Sequence, residues 1–215
     1  MTKKLFLTLT ITALFFTNCA TRQASVAEAL TVVEALETTA THDYGVVING
    51  IRWATRNVDA PGTFAPTPES SGMFFQWNRK KGWNAIDEVV EGWDSSTPTG
   101  TEWYAENDPC PEGWRVPTIE ELVWLRGADS EWTTKNGIYG NLFGTTPYQI
   151  FLPASGWRHA YDGSRDYVGE YGLYWSSTQY DREEFARFLF FSGNRIGEVG
   201  SWQQTGRSIR CVAIK

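Results

Sequence analysis

The stretch AENDPCPEGWRVPTIEELVWL, Ala105–Leu125, sets a cysteine between two prolines shortly before the clearest helix start in the chain. Pro117 precedes Thr118, Glu121 lies three residues on, and the apolar run Leu122–Leu125 follows. A threonine hydroxyl there can accept from the Glu121 N–H while the Glu121 carboxylate reaches back to the Thr118 N–H, which is the capping box. Gly127 is expected to end the helix as a left-handed cap. The position of Cys110 ahead of this helix poses the question of its partner.

The 215 residues include three cysteines: Cys19, Cys110 and Cys211. Residues 1–18 read as an export signal, with Lys3 and Lys4 ahead of the apolar run Leu5–Phe16. That run is short for a membrane span and suits a signal core. It ends at Phe16-Thr17-Asn18-Cys19, which resembles a relaxed bacterial lipoprotein processing site, with Cys19 becoming the lipidated first residue. The expected product is exported and anchored to a bacterial membrane, taken as the outer one, through Cys19. No acidic run follows Cys19 to say which face it decorates.

With Cys19 lipidated, Cys110 and Cys211 have only each other. A helix packed across the terminal strands would bring them together, and an oxidising compartment would join them. A catalytic cysteine is the alternative, opposed by the absence of a nearby histidine or basic cluster to lower either thiol's pKa.

Residues 19–43, rich in Ala, Thr, Val and Glu without an aromatic, read as a tether, in part helical over SVAEALTVVEALETTA. The aromatic-rich region 44–215 reads as one domain. Its eleven tryptophans and scattered Gly and Pro suggest a loop-rich, β-dominated body. YGVVINGIRWATRNV reads as a hairpin turning at Asn49-Gly50. MFFQWN reads as a short strand, and Lys80–Asn107 as a long irregular stretch. GLYWSST, FARFLFFSG and RSIRCVAIK alternate as strands of an antiparallel sheet. The formal charge of −6 offers no field for a nucleic-acid backbone.

Signatures of catalysis are sparse. Phosphate-cradling glycine loops, CxxC pairs, HxxxH pairs and a GxSxG elbow do not occur, and His42 and His159 are the only histidines. Neither a metal site nor a cofactor is expected from this, structural calcium being the one left open. Asp181, Glu183 and Glu184 could supply a carboxylate pair for a glycan hydrolase, but they read better as a solvated turn between strands. Trp53, Trp114 and Trp175 read as core. Aromatics in the polar, Gly-punctuated segments further on suit recognition of a protein or stacking on a glycan.

Six segments occur in order: GVVINGIRWATRNVDAPGTFA, MFFQWNRKKGW, NDPCPEGWRVPTIEEL, FLPASGW, YWSST and GRSIRCV. Together they resemble the Fibrobacter succinogenes major paralogous domain of exported bacterial lipoproteins. That resemblance implies an α+β, C-type lectin-like fold: a twisted antiparallel sheet, one or two helices, and long irregular loops. It also implies a bridge from the cysteine before the helix to the last strand, which agrees with Cys110–Cys211. The calcium-ligating triplets of sugar-binding C-type lectins are missing, and DGSRD at Asp162–Asp166 lacks the ligand spacing of a known loop. Retroelement-diversified proteins of the same fold carry their ligand face on C-terminal loops. The expected function is a non-enzymatic binding or adhesion module with loops between Arg158 and Arg207 as its face. Trp157, Tyr161, Tyr167, Arg182, Arg195 and Trp202 are the expected anchors for an unknown protein or glycan. A structural envelope or pilus-associated subunit is the remaining alternative.

Overall fold

A computed structural model describes residues 42–215. The signal, Cys19 and the tether up to residue 41 lie outside the described residues. In chain order the elements are β1 (Val46–Ile48), β2 (Ile51–Trp53), β3 (Phe74–Phe75), β4 (Gly82–Trp83), a 3-10 turn (Ala105–Asn107), β5 (Trp114–Arg115) and α1 (Ile119–Arg126). Then come β6 (Ser130–Lys135), β7 (Ile138–Thr145), β8 (Tyr148–Pro153), β9 (Trp157–Arg158), β10 (Arg165–Asp166), β11 (Gly172–Gln179), β12 (Phe185–Ser192), β13 (Arg195–Trp202) and β14 (Val212–Ala213). The class is α+β: one helix among small antiparallel sheets.

The strands divide into five sheets rather than one. The ends of the domain meet in the order β1-β2-β14-β5, so the last strand lies between the opening hairpin and the strand before the helix. Asn49 and Gly50 both take positive φ, 51° and 79°, as a two-residue hairpin of this hand requires. Asp43 pins the entry to this hairpin: its buried carboxylate accepts from Gly45 N, Thr55 N, Thr55 Oγ1 and Arg56 N.

The helix begins as its sequence dictates. Thr118 accepts from Glu121 N, and the Glu121 carboxylate accepts from Thr118 N at 2.9 Å. Arg115 forks onto both carboxylate oxygens at 2.9 and 2.7 Å, so the capping residue is itself held. The end of the helix differs from expectation. Gly127 has φ −75° and ψ −7°, a right-handed turn and not a left-handed cap. Its N–H still reaches Val123 O, and Ala128 N–H reaches Leu125 O, so the last carbonyls are satisfied by tightening the turn. Cys110 and Cys211 are bonded, with Cα atoms 6.1 Å apart across a separation of 101 residues.

The sheet β11-β12-β13 divides the interior. Leu173↔Phe190↔Gly197 and Trp175↔Phe188↔Val199 are aligned across it, which puts these residues on one face. Tyr174, Leu189, Phe191 and Ile196 take the other. The second face packs with Leu122 and Leu125 of α1 and with Ile51, Trp53 and Phe143. The first packs with Phe75, Trp77, Ile209 and Cys211. Of the tryptophans expected in the core, Trp53 and Trp175 are fully buried, whereas Trp114 is half-buried and meets Phe64 edge-on.

Removing the disulfide as the Cys110→Ser, Cys211→Ser pair is expected to lower unfolding free energy by about 2–5 kcal/mol, since it frees a long loop in the unfolded chain. Urea unfolding of the two proteins under non-reducing conditions measures this. A change under 1 kcal/mol would contradict it.

Candidate functional site

The expected binding face is built differently from a set of loops. The segment from Arg195 to Trp202, read as loop because of its glycines, is the eight-residue strand β13, paired with β12 along its whole length. The glycines are there for their neighbours. A Cβ on Gly197 would meet the Phe190 ring at 2.8 Å, and one on Gly200 would meet the Tyr180 ring at 2.6 Å. Glycine inside a strand marks such a close approach as readily as it marks a loop.

Beside this edge strand lies a groove of about 590 Å³, lined chiefly by Trp157, Tyr171, Phe188, Phe190, Arg195 and Val199. Its size is that of a small-molecule or oligosaccharide site, roughly 300–1,000 Å³. Phe188 and Phe190 reach it because alternation along β12 places both on the first face of the sheet. Arg126, at the end of α1, lines it as well and forms a salt bridge with Glu198 of β13.

Trp157 is held on three sides. Tyr167 stacks on it at 4.6 Å between centroids with 14° between planes, and Tyr171 and His159 meet it edge-on at 6.2 and 5.9 Å. Tyr167 takes a left-handed backbone, φ 57°, unusual for a bulky residue. Its carbonyl accepts from the N–H groups of Glu170 and Tyr171, a turn that fixes the ring against Trp157. Next along β9, Arg158 is fully buried, and its guanidinium is caged by main-chain carbonyls. Nε reaches Asn84 O at 2.8 Å, Nη1 reaches Gly163 O at 2.6 Å, and Nη2 reaches Asp87 O at 2.6 Å. The cage joins the 84–88 segment to the β9–β10 loop and anchors the strand that carries Trp157.

The six expected anchors fall into three places. Trp157 and Arg195 line the groove, with Tyr167 acting through Trp157. Arg182 and Trp202 sit at the other end of the β12–β13 hairpin, where Phe185 pairs with Trp202. The Arg182 guanidinium lies 4.6 Å from the Phe185 ring and 5.1 Å from Trp202, a closed stack of its own. Seven residue steps separate Arg195 from Trp202, about 23 Å at ordinary strand rise, so these are not parts of one small-ligand site. Tyr161 is 80% exposed on the β9–β10 loop and does not line the groove.

Sequence reasoning passed over Phe188, Phe190, Val199 and Arg126. The signal for the first two was the alternation in FARFLFFS, which assigns alternate residues to opposite faces. Asp181, Glu183 and Glu184 are exposed in the turn between β11 and β12. Asp162 caps its own loop, accepting from Ser164 N and Oγ at 3.0 and 2.7 Å. Among the described residues no group of three or more His, Cys, Asp or Glu converges as metal ligands. Comparison of the chain with protein-family models, with curated proteins and with solved structures finds no match.

Replacing Arg158 by Met would strand the Asn84, Asp87 and Gly163 carbonyls. The expected loss is about 3 kcal/mol of stability, with amide exchange at Arg165, which donates to Glu88 O, accelerated at least about tenfold. Undisturbed exchange in the variant would contradict this.

Proposed function

We propose that this chain is a non-enzymatic binding or adhesion module of the bacterial envelope, and that its ligand site is the groove between Trp157 and strand β13. The observation that carries the reading is the wall of the groove. Trp157 is fixed by the Tyr167 stack and the Tyr171 edge, and Phe188 and Phe190 are fixed by strand pairing. Aromatic area immobilised before binding loses little entropy when a ligand arrives, which is how rigid rings become dominant contacts. No side chain lining the groove pairs a nucleophile with a base; its ionic groups are arginines and one carboxylate held by Arg126.

The same proposal includes the finer architecture and the location. A C-type lectin-like arrangement is supported by the bridge from the helix entry to the last strand and by the meeting of β2 with β14. It is also supported by the ordered motifs that resemble the Fibrobacter succinogenes major paralogous domain. Export and lipid anchoring rest on the Lys3–Cys19 segment and on a disulfide that belongs to an oxidising compartment.

The test is binding of the full chain to an immobilised glycan array. Trp157→Ala is expected to lower the signal at bound spots at least about tenfold, the scale of one lost aromatic anchor, while Trp202→Ala leaves it within about twofold. Binding that survives Trp157→Ala, or is lost equally in Trp202→Ala, would remove the groove as the site.

A further inference from the structure

The charges around the groove do not match those of the chain. The protein carries a net −6, yet the ionic groups at the groove are Arg126, Arg195 and Glu198. Glu198 is spent on Arg126. Arg195 is exposed, lies 5.6 Å from the Phe190 ring, and has no carboxylate within salt-bridge distance among the described residues.

A second cation stands behind the wall. Arg207 is 3% exposed, and its guanidinium lies 3.6 Å from the centroid of Phe188 and 4.8 Å from that of Trp175. Its Nε and Nη1 are buried without a hydrogen-bond partner among the described residues. This sets it apart from the other fully buried arginines. Arg158 has its carbonyl cage, and Arg210 donates to Asn57 Oδ1, Ala54 O and Phe151 O. Burial pushes the Arg207 guanidinium down to about 9, the mark of a cation that its surroundings do not compensate. Two aromatic rings of the groove are therefore each associated with a guanidinium lacking an acidic partner. Arg207, shielded from water, acts over a longer range than a solvent-exposed charge does.

We propose that the groove binds an acidic saccharide, its carboxylate met by Arg195 at the rim and its sugar ring laid against the half-buried Trp157 and Phe190, with the buried Phe188 supporting them from the floor. The proposal rests on the reading of the groove as the ligand site and adds the ligand's class. Arg207 acts from behind Phe188 as a fixed positive field and touches no ligand atom. A saccharide is favoured over an acidic peptide because the wall offers flat rings, which suit a pyranose face.

The experiment titrates the full chain by calorimetry with polygalacturonate and hyaluronan, with the carboxyl-reduced neutral form of each, and with poly-glutamate as an acidic peptide. The acidic polysaccharides are expected to bind at least about tenfold more tightly than their reduced forms, with affinity falling as salt rises. Arg195→Gln should remove that preference and leave the melting temperature unchanged, because the side chain is exposed; Arg195→Lys should restore most of it. Trp157→Ala should remove binding of acidic and neutral forms alike. Equal affinity for acidic and reduced polymers, with both lost in Trp157→Ala, would overturn the acidic class and keep the groove. Poly-glutamate binding as tightly as the polysaccharides, or a preference unmoved by Arg195→Gln, would also overturn it. Binding of acidic polymers unaffected by Trp157→Ala would overturn both.

Discussion

The register of β12 against its two neighbours is the constraint on which the remaining structure depends. Eight consecutive residues, FARFLFFS, send Ala186, Phe188 and Phe190 to one side and Leu189 and Phe191 to the other. A slip of one residue would exchange the two sets, because the side-chain period of a strand is two. Leu189 and Phe191 would leave the helix and the opening hairpin, and Phe188 would leave Trp175 and Arg207. Both core clusters and the groove wall would be lost together. The glycines of β13 make the register specific: Gly197 lies under the Phe190 ring and Gly200 under Tyr180, and a side chain at either would collide with the ring.

Around this sheet the chain is closed by a few strong polar devices and one covalent bond. The disulfide ties the residue two before β5's turn region to the residue just before β14, and β14 pairs with both β2 and β5. Buried arginines hold the long connections. Arg210 fastens the segment after β2 to β8 through Asn57, Ala54 and Phe151, and Arg158 fastens the 84–88 segment to the β9–β10 loop. A guanidinium with five donors can satisfy several carbonyls of irregular chain at once, which no single aliphatic residue can do. Long loops with little regular structure are fastened here by those bonds, which extend to the strand that carries Trp157.

What the sequence made legible was local chemistry with a fixed geometry. Asn49-Gly50 demands positive φ at two successive residues, Thr118 and Glu121 satisfy each other's backbone, and two cysteines beyond the expected signal segment and Cys19 have one pairing. Those features need no knowledge of distant contacts. The same Asn-Gly signal at Asn136-Gly137, φ 50° and 82°, turns the β6–β7 hairpin. Strand β13 was less legible. Its glycines answer to rings on β12 and at Tyr180, so their meaning is tertiary, and a composition of Gly, Arg, Glu and Ser reads as loop until those rings are placed. The carbonyl cage of Arg158 was equally out of reach, since it joins residues more than seventy apart in the chain. Three of the six expected anchors came together because Trp157, Tyr167 and Arg195 are brought to one place by β9, the turn after β10 and the start of β13. Trp202 closes the far end of β13, where Arg182 of the β11–β12 turn stacks on it.

Cross-strand nuclear Overhauser contacts test whether the candidate site is the face of a paired strand. Contacts are expected between Phe190 and Gly197 and between Phe188 and Val199, with the Gly197 α-protons shifted by the overlying Phe190 ring. Their absence, or contacts displaced by one residue to Ile196 or Glu198, would contradict it.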